Sequence, residues 1–456
     1  MPDTIAAIST GGTVSAIGIV RVSGHEAINV AEKMFRPSAG IELREAENRR
    51  MYYGQIVGAE GGLIDLCMCM ISRGPNSYTG EDTVEFHCHG SPIVLSEVLR
   101  ALFEHGIRQA QAGEFTKRAF LNGRMDLTQA EAVIDLIEAG TPAAAQNAAG
   151  QLYGAISVRL EPVYSELLDV MAHFHAVIDY PDEDIGEFEM QSYLSTLRKT
   201  ETQLSHMLST HTRGRVIREG VPTAIIGRPN TGKSSLLNAL LGYNRAIVTE
   251  TPGTTRDTIE EKILIGGVLL RLIDTAGLRK AGDAVEKLGI TRTLDAVNCA
   301  GLLLPVFDGS EPLQDEDFAV LRLIPHKTPV ILIVNKSDLP RVVSDEELAE
   351  LGIEHCFICA LTGDGLDELE KLIKKVFPDS AVPPSGEIIT NARQAEAISR
   401  ARESVTRAID AIAASVTPDA VLTDVEAALL AIGEIIGKTM REDVISRIFE
   451  RFCVGK

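Results

Sequence analysis

A phosphate-binding pattern, G-x-x-x-x-G-K-[ST], occurs at Gly227-Arg228-Pro229-Asn230-Thr231-Gly232-Lys233-Ser234. The glycines let the backbone wrap around phosphates, which loop N–H groups and the N-terminus of the following helix then bind. We expect Lys233 to reach the outer phosphates and Ser234 to bind Mg²⁺. In a chain of this length, the pattern would occur by chance with a probability of roughly one or two per cent.

Two further motifs follow in order, Asp274-Thr275-Ala276-Gly277 and Asn335-Lys336-Ser337-Asp338. Asp274 can hold the metal through water, and the Gly277 N–H can sense the γ-phosphate. Asp338 has two acceptor oxygens that match the N1–H and 2-amino donors of guanine, a pair that adenine lacks. Cys359-Ala360-Leu361 forms a turn placed to back the base. Each motif alone could be an ordinary turn, but three in order predict a guanine-nucleotide site.

Two features of the sequence differ from those of Ras-like GTPases. Leu278 follows Gly277, where that class has a glutamine that orients the attacking water, so another group must do so. Thr249-Glu250-Thr251-Pro252-Gly253-Thr254-Thr255-Arg256-Asp257 is a hydroxyl-rich loop at the position of a switch that carries a Mg²⁺-binding threonine. The alternative for this segment is an ordinary flexible turn.

The elements that must position these motifs alternate between short apolar strands and helical segments. The predicted strands are Thr223–Ile226, Leu269–Ile273, Gly301–Phe307, Val330–Val334 and Cys356–Ile358. This alternation is typical of a doubly wound parallel sheet, in which ligands bind at the carboxyl ends of the strands. Each of the three motifs begins at or just after the carboxyl end of one of these strands.

The segments on either side have other periodicities. Residues 1–118 mix short strands, such as Ile17–Val22, Cys67–Ile71 and Thr83–His87, with a helix at Pro92–Glu104, which predicts an α+β domain. Residues 119–215 and 381–456 are helical, and residues 216–380 form the predicted P-loop G domain. The first helical segment has two apolar stripes, one of Ala130, Val133, Ile134 and Ile137 and one of Ile156, Leu160, Val163, Leu167, Val170 and Phe174. The simplest interpretation is one helical domain with a G domain inserted in it, although two separate helical domains remain an alternative. The predicted fold class is therefore multidomain α/β and α.

Composition narrows the function classes. Of 456 residues, 64 are acidic and 44 are basic, which gives a formal charge of -20, so any RNA contact must use a local basic patch. Two candidate patches are Arg213, Arg215 and Arg218, and Arg393, Arg400, Arg402 and Arg407, although arginines on helices are more often a solvated face. Seven cysteines without framework spacing indicate a reducing compartment. With neither a signal-like start nor a long apolar run, we expect a soluble cytoplasmic protein.

Across essentially its whole length the sequence resembles the bacterial MnmE (TrmE) family of tRNA-modification GTPases. The residues that carry the resemblance are Gly18 to Gly24, Asn76 to Asp82, Gly113 to Phe120, Gly253-Thr254-Thr255-Arg256-Asp257 and Cys453-Val454-Gly455-Lys456. The resemblance implies an N-terminal folate-binding and dimerisation domain, a helical domain and an inserted G domain. It also implies a homodimer that forms a heterotetramer with an MnmG-like FAD protein and acts on tRNA.

The resemblance further implies K⁺-dependent hydrolysis, in which a monovalent cation supplies charge that an arginine finger supplies elsewhere. K⁺ would be held by Asn230, Thr249, Thr251 and Thr254, and Mg²⁺ by Ser234 and Thr255. Glu286 would orient the attacking water; without the family it would be interpreted as a surface carboxylate. The residues predicted to bind GTP are Asn230, Thr231, Gly232, Lys233, Ser234, Ser235, Thr249, Glu250, Thr251, Pro252, Gly253, Thr254, Thr255, Asp274, Thr275, Ala276, Gly277, Asn335, Lys336, Asp338, Cys359, Ala360 and Leu361.

A folate site is implied at Arg21, Glu85, Arg124 and Lys456, with Arg21 and Lys456 meeting in one pocket across a dimer interface. Arginine and lysine suit folate carboxylates, and a glutamate suits the donor face of the pterin. Arg124 stands where the family usually has a lysine, and Ser9–Ser15 lacks the Pro-rich sequence of the family. The ligand would be a 5-formyl or 5,10-methylene derivative of tetrahydrofolate.

Cysteine and histidine residues suggest two other chemistries. Cys453 could be catalytic, but an isolated thiol in a reducing cell is more often inert. Cys67, Cys69, His87, Cys88 and His89 resemble zinc ligands, but alternation along strands places neighbours on opposite faces, which argues against a zinc site.

The function implied by the resemblance is GTP-driven addition of an aminomethyl-type (carboxymethylaminomethyl) group to carbon 5 of the wobble uridine of certain tRNAs. The alternative, from another class, is a binding switch such as a ribosome-assembly GTPase. Such switches usually carry basic RNA-binding appendages, which this sequence lacks. Folate binding distinguishes the two.

Overall fold

The structure is a computed structural model that describes residues 3–179, 187–243, 261–273, 295–378, 386–439, 445, 448–450 and 452–455. The chain divides into two compact units. One comprises Met1–Ile134, Ser157–Tyr164 and Ile432–Lys456, and the other comprises Asp135–Ile156 and Ser165–Ala431. Among the described residues, no helix is long and apolar enough to cross a membrane.

The N-terminal sheet has seven strands in the order β3-β4-β5-β6-β2-β1-β7. All pairs are antiparallel except β1 with β7, which is parallel. The strands are β1 (Ile5–Ile8), β2 (Ser15–Ser23), β3 (Phe35–Pro37), β4 (Met51–Val57), β5 (Leu63–Ser72), β6 (Thr83–Gly90) and β7 (Arg108–Gln109). Helices α1 (Ala27–Met34) and α2 (Pro92–Glu104) and a 3-10 turn (Leu43–Glu45) accompany the sheet. The predicted α+β organisation is confirmed, and α2 has the predicted bounds.

The two faces of this sheet differ because side chains alternate along each strand. On the core face lie buried residues such as Cys69, Phe86 and Val20. The other side chains of the central strands form what we call the outer face: Met51, Tyr53, Met68, Met70, Glu85, His87, Ile17, Ile19 and Arg21. None of these is buried. The outer face is therefore a largely apolar surface that contains one group of charged residues.

This alternation also separates the residues that resemble zinc ligands. Cys67, Cys69 and Cys88 are buried on the core side, whereas His87 and His89 lie on the other side. Burial raises the pKa of the Cys69 thiol, which disfavours a metal-binding thiolate. Among the described residues, no group of three or more His, Cys, Asp or Glu is arranged to hold a metal ion.

Helices follow the N-terminal sheet: α3 (Glu114–Leu121), α4 (Leu127–Ile137), α5 (Pro142–Leu152), α6 (Ala155–Asp179), α7 (Glu187–Ser209) and α8 (His211–Glu219). The periodic stripe on α6 is confirmed, since Ile156, Leu160, Val163, Leu167, Val170 and Phe174 are all buried. The stripe expected on α4 is only partly correct. Ala130 is buried, but Ile137 at the end of the helix is 44% exposed.

The second sheet has six strands in the order β13-β12-β11-β8-β10-β9. Every pair is parallel except β9 with β10, which form a hairpin. The strands are β8 (Val221–Ile226), β9 (Glu261–Ile265), β10 (Val268–Leu272), β11 (Leu302–Asp308), β12 (Leu332–Asn335) and β13 (His355–Ile358). The connecting helices are α9 (Lys233–Tyr243), α10 (Asp315–Arg322), α11 (Asp345–Glu350) and α12 (Leu366–Val376). The predicted doubly wound sheet is confirmed.

Two long helices follow the G domain, α13 (Ala392–Ala413) and α14 (Pro418–Ile436). Helix α13 packs along α7, which precedes the G domain in sequence. Helices from both sides of the G domain thus pack together, as expected for a domain inserted within a helical one.

Candidate functional site

The phosphate-binding loop connects β8 to α9 at the carboxyl edge of the second sheet. Three of its residues have positive φ: Gly227 at 147°, Asn230 at 66° and Gly232 at 94°. A Cβ at Gly232 would collide with the Asn335 side chain, so only glycine allows this close approach. Asn230 adopts the left-handed conformation that asparagine tolerates better than most residues. The loop therefore uses its glycines and Asn230 for backbone conformations that most other residues disfavour.

Lys233 is held inside this loop. Its Nζ donates to the carbonyl oxygens of Gly227 at 2.9 Å and Arg228 at 2.6 Å. Burial lowers the pKa of the Lys233 amine, and the positive charge of Arg228 lowers it further. The Lys233 ammonium group is therefore already in place, and phosphate oxygens can replace the two carbonyls as acceptors of its hydrogen bonds.

Asn335 connects the phosphate-binding loop to the turn at Cys359-Ala360-Leu361. Its Nδ2 donates to the Thr231 carbonyl at 2.8 Å, and its Oδ1 accepts from the Ala360 N–H at 3.0 Å. Both contacts are buried, and Asn335 is 3% exposed. This asparagine therefore fixes the distance between the two loops, a structural role that the sequence alone did not indicate.

Asp338 lies at the exposed edge of the same site. The Cys359 thiol donates to Asp338 Oδ1 at 3.4 Å, which orients the carboxylate, and Cys359 itself is 2% exposed. Leu361, by contrast, is 81% exposed and free to face a base. Asp338 and Cys359 therefore lie together at this edge, and the binding of guanine by the Asp338 oxygens stays a prediction.

Lys336 makes a contact that the sequence did not predict. Its Nζ lies 2.5 Å from Asp308 Oδ2, and Asp308 is the last residue of β11. Burial alone would raise the pKa of the Asp308 carboxyl, but hydrogen bonds from Lys336 and Ser310 hold it below its usual value. A signal was available, since Asp308 directly follows the predicted strand Gly301–Phe307 and a charged residue there lies at the ligand-binding edge.

A second cluster lies on the outer face of the N-terminal sheet. Arg21 and Glu85 are opposite each other on β2 and β6, and Arg21 Nε donates to Glu85 Oε1 at 2.8 Å. The Arg21 guanidinium lies 5.2 Å from the ring centre of Tyr78 and 5.7 Å from that of Phe115. His87 Nε2 is 3.3 Å from Glu85 Oε2. Two residues of the implied folate site therefore meet, beside two aromatic rings.

Arg124 is placed separately by its own contact. Its Nε donates to the Ser77 carbonyl at 3.1 Å, and the residue is exposed. The loop that carries Ser77 also carries Tyr78, the ring beside Arg21, so Arg124 is attached to the border of the same cluster.

The C-terminal residues dock on the N-terminal domain. The Gly113 N–H donates to the Cys453 carbonyl at 3.3 Å, Val454 pairs with Ala112, and the Ser9 hydroxyl donates to the Gly455 carbonyl at 2.9 Å. Gly455 is buried. The tail is thus held by backbone contacts up to the residue before Lys456.

Both candidate basic patches contain arginines with acidic partners. Arg218 Nη2 lies 2.7 Å from Asp135 Oδ1, and Arg407 Nε lies 2.8 Å from Asp424 Oδ1. Paired arginines on helices fit the alternative of a solvated face, so neither patch stands out as an RNA-binding surface.

Several predicted site residues lie outside the described residues, and their placement stays a prediction. They are Thr249, Glu250, Thr251, Pro252, Gly253, Thr254, Thr255, Asp274, Thr275, Ala276, Gly277, Glu286 and Lys456. Ser234 and Ser235 are described and lie in the first turn of α9, next to Lys233.

Comparisons with known proteins cover the whole chain. The model of the MnmE helical domain family matches residues 127–453, and that of the GTP-binding protein TrmE N-terminus matches residues 4–124. A tRNA modification GTPase MnmE of Thermoanaerobacter pseudethanolicus is 42% identical over all of this chain and 99% of its own length. Its counterpart in Alkaliphilus metalliredigens is 42% identical over the full length of both chains.

Among solved structures, the G domain of the T. maritima FeoB iron transporter is 30% identical. The match covers 34% of this chain and 96% of that one, with a TM-score of 0.26. At that TM-score, the structural similarity does not support any statement about this chain.

Proposed function

The chain belongs to the MnmE (TrmE) family, and from that premise we propose that it is a K⁺-dependent GTPase that modifies tRNA together with an MnmG-like flavoprotein. The modification would be an aminomethyl-type (carboxymethylaminomethyl) group on carbon 5 of the wobble uridine of certain tRNAs. One observation carries the proposal: the motif residues Asn335 and Asp338 contact the phosphate-binding loop and the Cys359 turn in a chain that matches tRNA modification GTPases over its full length. The chain is a GTP hydrolase of tRNA modification, and the partner and the chemistry at the uridine are the proposed part.

Each residue of the proposed nucleotide site would have a separate role in binding or hydrolysis. Lys233 would bind the outer phosphates, and Asp338 would select guanine through its acceptor oxygens. Ser234 at the start of α9 suits Mg²⁺, which prefers oxygen ligands, and Thr255 would be its second protein ligand. Glu286 would orient the attacking water in place of the glutamine that Leu278 replaces. Hydrolysis would then drive a conformational cycle.

For K⁺, the described part of the proposed site is Asn230. Its left-handed backbone, with φ of 66°, lies in the phosphate-binding loop, where a side-chain amide oxygen is a suitable ligand for a monovalent cation. Thr249, Thr251 and Thr254 would complete the set. A cation there adds positive charge where negative charge develops in the transition state.

The K⁺ proposal is tested by comparing chloride salts. Hydrolysis should be faster in KCl than in NaCl at equal ionic strength, because a cation pocket discriminates by size whereas screening does not. Asn230→Ala should reduce that difference. Equal single-turnover rates of the parent protein in the two salts would rule out a K⁺ site.

The folate proposal rests on the Arg21–Glu85 pair. A guanidinium suits the carboxylates of folate, and a carboxylate suits the donor face of a pterin. The two groups lie 2.8 Å apart beside the exposed Tyr78 ring, with the buried Phe115 ring on the protein side of Arg21, so the residues present fit such a ligand. Arg124 and Lys456 would bind its remaining charges. When bound, the folate would supply the one-carbon unit.

The outer face supports a homodimer. Met51 and Tyr53 on β4 are 38% and 52% exposed, and the neighbouring Met68, Met70 and Ile19 extend the apolar surface. A large exposed apolar surface marks an interaction site. A second copy on this face would also cover the Arg21–Glu85 pair, consistent with a folate pocket at the interface.

The decisive experiment analyses tRNA nucleosides from a strain that lacks this gene. Loss of the modified wobble uridine, restored by the parent protein but not by a Lys233→Ala variant, supports the proposal. Wild-type levels of the modified nucleoside in the deletion strain would refute it. Folate binding by the purified protein then separates this function from that of a ribosome-assembly switch.

A further inference from the structure

The side chain of Arg228 leaves the phosphate-binding loop and reaches the segment that follows β11. Its Nη2 donates to Glu311 Oε2 at 2.7 Å, and its Nε lies 3.3 Å from Asp317 Oδ1. The side chain of Arg228 is 13% exposed and that of Asp317 is 2% exposed. We call residues 308–317 the bridging segment, because they run from the end of β11 into the first turn of α10.

Asp317 is well placed to act as an anchor. Its second oxygen, Oδ2, accepts the Gln314 N–H at 3.0 Å in the capping box that begins α10. Its carboxylate is therefore fixed to the helix at one oxygen and faces Arg228 with the other. A buried carboxylate paired in this way is costly to leave without its cation.

The bridging segment also contacts residues 335–338, the motif predicted to bind guanine, which we call the guanine-binding loop. Lys336 pairs with Asp308 at the start of the segment, and Asn335 donates directly to the Thr231 carbonyl. The phosphate-binding loop, the bridging segment and the guanine-binding loop are thus linked in a closed set of contacts. Arg228 provides the contact between the first two.

The main chain of Arg228 is part of the same arrangement. Its carbonyl oxygen accepts from Lys233 Nζ at 2.6 Å and from the Thr231 hydroxyl at 3.2 Å. A shift of Arg228 would therefore move one of the two carbonyl acceptors that place Lys233. The two carboxylates neutralise the guanidinium and hold it towards the bridging segment.

We propose that Arg228 is a positioning residue for nucleotide binding, which acts through Glu311 and Asp317 and does not contact the phosphates. Its ion pairs keep the phosphate-binding loop in its binding shape before nucleotide arrives. The proposal assumes that GTP and GDP bind at this loop, and it does not depend on folate or tRNA. Preordering of the loop lowers the cost of binding, so it affects nucleotide affinity more than the chemical step.

The test is a double-mutant cycle in the full-length protein, read by the Kd for a fluorescent GDP. Arg228→Met, which keeps the aliphatic stem, and Asp317→Asn should each raise Kd about tenfold. The double variant should be no weaker than the weaker single variant by more than about twofold, because Arg228→Met already removes the Arg228–Asp317 contact that Asp317→Asn weakens. Arg228→Lys, which keeps the charge, should recover part of the affinity.

Kinetics and a matched control complete the design. For Arg228→Met, KM for GTP should rise while kcat at saturating GTP changes by less than about twofold. The control is Arg341→Met, which breaks an exposed ion pair with Asp345 in the same domain and should leave Kd unchanged.

Two outcomes would overturn the proposal. Additive effects of Arg228→Met and Asp317→Asn, with a larger loss for GTP than for GDP, would mean that Arg228 contacts the phosphates. An unchanged Kd for Arg228→Met would mean that the anchor is unimportant. If Asp317→Asn does not fold, Glu311→Gln replaces it in the cycle, and lack of coupling there has the same meaning. Failure of the parent protein to bind GDP would instead refute the nucleotide site itself.

Discussion

At the scale of single residues, the sequence predicted which side chains would meet but not how they support one another. Lys233, Asn335 and Asp338 were predicted from motif spacing, and the structure brings them to one edge of the sheet. The contacts of Arg228 and Lys336 with carboxylates were not predicted, because the partners lie in a segment without a motif. Such contacts depend on tertiary packing, which local spacing does not encode.

We predict that Asp338→Asn weakens GTP binding by at least about tenfold, since each hydrogen bond to a charged group contributes about 1.5–3 kcal/mol. The substitution replaces one acceptor oxygen with a donor that faces the 2-amino group of guanine. Isothermal titration calorimetry measures the change. Cys359→Ala is the control: it removes only a weak thiol donor to Asp338 and should cost about fivefold or less. Unchanged GTP affinity of Asp338→Asn would contradict the guanine assignment.

At the scale of elements, hydrophobic periodicity predicted whether a segment is a helix or a strand better than it predicted where the segment begins and ends. Helix α2 was predicted correctly because Pro92 favours its first turn and Val98 and Leu102 share its buried face. Strands of the second sheet were predicted within about two residues at each end, as is usual at frayed ends. The β9–β10 hairpin was missed, although Gly266-Gly267 between two apolar runs is a hairpin signal, and both residues have positive φ.

The turn that carries Cys359 provides an element-scale prediction. Gly365 has φ of 84°, and a Cβ there would collide with the Phe357 backbone of β13, whereas a Cβ at Gly363, with φ of 87°, meets only a side-chain carbon at 3.7 Å. Gly363→Ala should therefore lower the free energy of unfolding by about 1 kcal/mol through backbone strain alone. Gly365→Ala should lower it by at least about 2 kcal/mol, since steric displacement adds to that strain.

Urea midpoints of the two full-length variants test this comparison, with GDP affinity measured alongside. The Gly365 variant should also bind GDP more weakly, because its turn holds the Ala360 N–H against Asn335. Equal midpoints for the two variants would show that the turn adjusts without cost.

At the scale of the whole molecule, the fold class followed from the change in periodicity along the chain. Alternating strands and helices predicted the parallel sheet, and helical stripes predicted α6 and its buried face. Long-range pairings could not be predicted in this way. The parallel contact of β1 with β7 and the docking of Val454 on Ala112 join segments about one hundred to several hundred residues apart, and no local pattern specifies them.

The docked tail leads to the last prediction. Terminal residues usually fray, yet Gly455 is buried, and its carbonyl accepts from the Ser9 hydroxyl. Deleting Cys453–Lys456 should reduce folate binding and abolish tRNA modification, because the deletion removes the Lys456 ammonium group and the backbone contacts that place it. GTP hydrolysis should persist, since the phosphate-binding loop belongs to the other compact unit of the chain.

Two substitutions separate the effect of losing the Lys456 charge from the effect of losing the contacts that hold the tail. Lys456→Ala removes the charge and leaves the docked backbone, so it should lower folate affinity without loosening the tail. Ser9→Ala removes one hydrogen bond to Gly455 and should have a smaller effect, of about 1 kcal/mol or about fivefold in affinity. If the truncated protein binds folate and restores the modified uridine in a deletion strain as well as the full chain does, the tail has no part in the folate site. In that case the contacts of Ser9 and Ala112 with the tail serve only to cover the edge of the N-terminal domain.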